Sequence, residues 1–135
     1  MTKIEEFSRP YLQLLSESDV GSDEISLRIV GLFRDLYVNY PDPVLMPSET
    51  GEGGLAILEN RIIDWLAGEH FVKVDEDSVW LTFSGRETVR HTCQMAPAYT
   101  AFFEDAQSAP PAHAIDLVLA LLKTHFERGR VSGHR

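Results

Sequence analysis

The sequence predicts a mostly helical α+β fold. Apolar residues recur at helical spacing through most of the chain, two β-branched and aromatic runs flank one acidic turn, and Pro and Gly clusters separate the segments. Ile4, Phe7, Tyr11, Leu14 and Leu15 define an amphipathic helix over 2–16. Pro10 should kink or split it, because proline lacks the N–H that bonds one turn back. Residues 16–22 read as a loop, after which Ser22 or Asp23 caps a helix from 23 to about 40. Its stripe is Ile25, Ile29, Leu32, Phe33, Leu36 and Tyr37. Pro41-Asp42-Pro43 ends that helix, and residues 44–46 leave room for a very short strand. The Gly-rich stretch 48–54 reads as a flexible loop.

A helix over 55–69 follows, with Leu55, Leu58, Ile62, Trp65 and Leu66 on one face. Residues 71–74 and 79–83 form a hairpin around the acidic turn Asp75-Glu76-Asp77-Ser78. Ser84-Gly85-Arg86-Glu87 fits a capping box and starts a helix to about Met95. Pro97 opens a short helix to about Ala106. After the break Ala109-Pro110-Pro111, a last helix runs over 112–128.

With 135 residues, the chain suits a single domain that needs no metal or disulfide staple. Its 44% apolar content is too high for a disordered chain. One cysteine, Cys93, cannot pair internally, which suits a reducing cytoplasm. The acidic start, with Glu5 and Glu6, is unlike a secretory leader. The longest apolar run, Leu117–Leu122, is far short of the ~20 residues a spanning helix needs, so no membrane role is expected.

The net charge of −9 argues against a nucleic-acid partner, since phosphate contacts need a basic footprint. Residues 1–60 and 61–122 are each acidic, and only 123–135 are basic.

The run Ile62-Ile63-Asp64-Trp65-Leu66-Ala67-Gly68-Glu69-His70-Phe71-Val72, followed by Val79-Trp80-Leu81-Thr82-Phe83-Ser84-Gly85-Arg86, resembles the back half of a winged-helix domain. The resemblance covers about residues 24–92 and names a superfamily, no closer family. It implies a winged-helix-like core over 23–95. Residues 1–22 would then be an N-terminal helix and loop, 96–128 C-terminal helices and 129–135 a basic tail. It also implies a DNA-reading helix before the wing, yet that helix sets Arg61 and Asn60 against Glu59, Asp64 and Glu69. The wing tip would present Asp75, Glu76 and Asp77 to phosphate. If DNA is bound, the candidate contacts are Arg61 and the tail residues Arg128, Arg130 and Arg135.

Chemistry-bearing residues form no recognisable constellation. His70, His91, His113, His125 and His134 lack metal-ligand spacing, so no metal is expected, and His70 is read as closing the 55–69 helix. Cys93 and His91 sit two apart on a helix and face different ways. Gly51, Gly53 and Gly54 precede a helix but lack the lysine and serine of a phosphate loop. The expectation is therefore no catalytic residue and no cofactor.

Two features point to contact surfaces. Val79, Leu81 and Phe83 share one hairpin face, which leaves Trp80 on the other beside Lys73 or Phe71 as an interface anchor. The last helix carries Ile115, Leu117, Val118, Leu119, Leu121, Leu122 and Phe126, more than one stripe needs. Leu117 and Leu121 are expected to cross a homodimer interface. The function expected is a non-catalytic, regulatory interaction module that self-associates through helices. Its alternatives are a winged-helix transcription regulator and a small enzyme or ligand-binding protein with a pocket between helices.

Overall fold

The structure, a computed structural model, describes residues 3–17, 21–46, 55–105 and 111–132. The order is α1 (Lys3–Glu17), α2 (Ser22–Asn39), β1 (Val44–Leu45), α3 (Leu55–Gly68), β2 (Val72–Asp75), β3 (Ser78–Leu81), α4 (Phe83–Met95), a 3-10 turn (Pro97–Tyr99), α5 (Thr100–Glu104) and α6 (Ala114–Ser132). The mostly helical α+β reading holds. The expected loop over 48–54, with its three glycines, and the Ala109-Pro110 part of the expected break lie outside the described residues.

Pro10 neither splits α1 nor ends it. Tyr11 and Leu14 are buried with Phe7 packed against the core, and that apolar side holds the helix across the missing hydrogen bond. Tyr11 Oη and Ser26 Oγ meet at 2.5 Å in the interior, tying α1 to α2. Gly21 occupies the N-cap of α2, correcting the expectation for Ser22 or Asp23: its carbonyl accepts the N–H groups of Glu24 and Ile25 at 3.0 and 3.3 Å. Glu59 of α3, buried, is ion-paired with Arg28 of α2.

The end of α3 is a Schellman motif. The N–H of Phe71 returns to the carbonyl of Leu66 at 3.0 Å, and that of His70 to Ala67 at 3.2 Å. His70 occupies the left-handed position, at φ 63°, that glycine usually takes. It thus sits at the helix end where the sequence places it, and closes the helix through its backbone conformation, not through the imidazolium charge that the sequence suggested.

Helix α4 is capped two residues before the expected position. Thr82 is the N-cap, its Oγ1 accepting the N–H of Gly85 at 2.9 Å, so Ser84 and Glu87 form no reciprocal box. Thr82 wins because its backbone is already extended from β3 and its N–H bonds the Phe71 carbonyl at 3.2 Å. Glu87 turns instead to Arg90, at 2.8 and 2.9 Å, and that guanidinium holds its carboxyl below the usual range. A Cβ at Gly85 would lie 2.1 Å from the Phe71 carbonyl oxygen, so α4 approaches the sheet only without a side chain there.

The antiparallel sheet has the order β1-β3-β2. Its inner face, with Val72, Val79 and Leu81, packs on Phe71, Phe33 of α2 and Ile63 and Leu66 of α3 in one continuous core. Helix α6 touches α1, α2 and α4, and Leu117, Val118, Leu121 and Leu122 are all enclosed. Its broad apolar surface is met within the chain, by neighbours on several sides. It also runs to Ser132, beyond the expected end at Arg128, so the first part of the expected basic tail is helical.

Candidate functional site

The outer sheet face is built by register. Val44 pairs with Val79 and Leu45 with Ser78, while Lys73 pairs with Trp80 and Asp75 with Ser78. Paired residues share a face, so Leu45, Ser78 and Asp75 form one row and Trp80 with Lys73 the next, some 7 Å along the strands. Trp80 is half-buried and Leu45 is 75% exposed. The alternation places Trp80 where the sequence predicts it, opposite buried Val79 and Leu81 and directly beside Lys73. Leu45 is the residue that sequence reading missed. The available signal was an apolar triplet between Pro43 and Pro47, too short to give a face without its partner strand.

The turn closing β2 and β3 borders this face. Glu76 is left-handed at φ 54°, and Asp75, Glu76 and Asp77 are exposed. None of these carboxylates is ion-paired among the described residues. The Met46 N–H bonds the Asp77 carbonyl at 2.8 Å, extending the β1–β3 ladder to the turn. The hairpin face Val79, Leu81 and Phe83 is corrected at its end: Phe83 belongs to α4 and is 67% exposed.

Leu117 and Leu121, expected at an interface, are both 0% exposed within their own chain. They cannot reach a partner without opening the core, because α6 lies against α1, α2 and α4.

Of the candidate nucleic-acid residues, Arg61 and Arg128 are each engaged within the chain. Arg61 on α3 is exposed but ion-paired with Glu17 of α1 at 3.2 Å. Arg128 points inward, its Nη1 donating to the Ser84 carbonyl and to Thr88 Oγ1, each at 2.8 Å, so it serves the α4–α6 contact and not a solvent-facing tail. The side chain of Arg130, and Arg135 with His134, lie outside the described residues.

Below Arg128 is a buried polar lock. His125 Nε2 lies 2.7 Å from the Glu69 carbonyl and Nδ1 lies 2.9 Å from Thr88 Oγ1. Burial is the main force lowering the pKa of His125; the Glu69 hydrogen bond opposes it, and the charges of Arg128 and His70 add to it.

A cleft of about 330 Å³ at α4 and α5 is lined by Tyr37, Arg90, Cys93, Thr100, Phe103 and Glu104 among others. Burial pushes the Cys93 thiol up, against the pull of its hydrogen bond with Thr100, so the sulfur stays protonated at neutral pH. Arg90 is committed to Glu87. Among the described residues, no three His, Cys, Asp or Glu side chains group as metal ligands, and no helix is long and apolar enough to cross a membrane.

Compared with protein-family models, with curated proteins and with solved structures, the chain matches none.

Proposed function

We propose that this protein is a non-catalytic interaction module that engages a protein partner with the outer face of its sheet. The observation that carries the reading is half-buried Trp80 standing one row along the sheet from Leu45, 75% exposed, on a surface framed by regular strands. An aromatic anchor on a rigid element is what interface hot spots require. Three side chains able to do chemistry are otherwise engaged: Cys93 is held as the thiol, Glu87 binds Arg90, and Glu59 binds Arg28. A reducing, cytoplasmic setting belongs to this reading, on the strength of the lone unpaired thiol of Cys93.

The test is selection of a random-peptide library on the immobilised full chain, with binding read by fluorescence anisotropy. Recovered peptides should lose affinity about tenfold on Trp80→Ala or Leu45→Ser. Peptides indifferent to both substitutions would overturn the reading. Self-association, the partner class expected from α6, would have to use another surface such as this one. A dimer at ~100 µM that Trp80→Ala dissociates would establish it.

A second reading, a winged-helix DNA-binding regulator, is supported by the β1-β3-β2 order and by α3 preceding the hairpin. It is weakened by the Arg61–Glu17 pair and the inward Arg128. Under it, random duplex at ~50 mM salt should show a mobility shift that Arg61→Ala reduces.

A further inference from the structure

We infer that the partner of the outer sheet face is a cationic polypeptide segment, with Arg or Lys next to an apolar anchor; this rests on the interaction reading above. The face has two halves of different chemistry. Leu45 and Trp80 supply the apolar half. Asp75, in the same row as Leu45, begins the carboxylate half, which Glu76 and Asp77 continue around the turn. Lys73 is the one cation in the two rows, against three carboxylates at their edge.

The dimensions suit a short segment. Leu45 and Asp75 are two strand spacings apart, roughly 10 Å, which about three extended residues span. An apolar side chain seated on Leu45 therefore leaves a neighbouring Arg or Lys within reach of Asp75. A guanidinium on the same segment can also lie over the Trp80 ring, where the ring face attracts a cation. Because the three carboxylates are exposed and without ion pairs among the described residues, they steer a cation without first breaking a contact. Two other occupants fit less well. A second copy would set acidic turn against acidic turn in a twofold arrangement, and both nucleic acid and an anionic membrane meet the same repulsion.

The library selection above decides this too, now read for composition and charge. The recovered peptides should be rich in Arg or Lys next to Leu, Ile, Phe or Trp. Their affinity should fall about tenfold on the triple change Asp75→Asn, Glu76→Gln, Asp77→Asn, and fall again between ~50 and ~300 mM salt. Leu45→Ser, at an exposed site, guards against mistaking unfolding by Trp80→Ala for lost contact. Peptides that need Trp80 and Leu45 but carry no cations, or ignore the triple change, overturn the cationic partner and leave the interaction reading standing. Peptides that ignore Trp80 and Leu45 overturn both. A wild-type dimer dissociated by Trp80→Ala makes a second copy the occupant and also overturns the inference.

Discussion

The Nε2 of His125 lies 2.7 Å from the main-chain oxygen of Glu69, so a ring on α6 caps the carbonyl end of α3. A carbonyl only accepts, which puts the proton on Nε2 and leaves Nδ1 of the neutral ring as an acceptor 2.9 Å from Thr88 Oγ1, whose single proton is shared with the Ser84 carbonyl. Arg128 then covers the Ser84 carbonyl.

This geometry gives the fold a pH dependence. Burial lowers the pKa of His125 from its usual 6.5, so the native state binds fewer protons than the unfolded chain. The stabilisation is complete above pH 6.5 and is lost as pH falls from there through the depressed value. Urea unfolding should therefore show lower stability at pH 5.5 than at 7.5. His125→Phe should cost about 2 kcal/mol at pH 7.5, because both ring hydrogen bonds are lost and the Glu69 carbonyl is left without its partner, and should lessen that difference. Wild-type stability that rises between pH 7.5 and 5.5 would contradict the buried neutral ring.

Gly85→Ala should destabilise the protein by about 2 kcal/mol, because the new methyl meets backbone and not a yielding side chain. Thermal melting should fall by several degrees. An unchanged midpoint would mean that α4 can back away from Phe71 without cost.

His70→Gly should do the opposite. Its exposed position at the left-handed end of α3 suits glycine, and relief of that conformation should add roughly 0.5–1 kcal/mol. Chemical denaturation decides it, and a loss of stability would show that the imidazole itself holds the turn.

Leu121→Ala should cost about 3 kcal/mol as an interior cavity. Leu117→Glu with Leu121→Glu should abolish the helical circular dichroism and cooperative melting. A folded monomer carrying both glutamates would return these residues to an interface.

Local signals in the sequence read well wherever a contact lies close along the chain. The hairpin, the outward Trp80 and the helical stripes all follow from periods of two and 3.6 residues, which the backbone imposes wherever the strand or helix sits. The helix starts read less well. Gly21 and Thr82 displace the expected caps because the choice depends on where the preceding chain is held, Thr82 by the carbonyl of Phe71.

The sequence by itself determined that this protein is a helix-rich, acidic chain with one hairpin and one indole turned away from the core. Tertiary structure alone decided what the surplus apolar surface was for. A side chain's hydrophobicity says that it must leave water, but not whether its own chain or another covers it. The packing of α6 against α1, α2 and α4 enclosed Leu117 and Leu121. Arg128 was drawn inward by the carbonyl of Ser84, 44 residues away in sequence. Leu45 gained its place beside Trp80 only when β1 crossed to β3, since a cross-strand neighbour is set by register and not by composition.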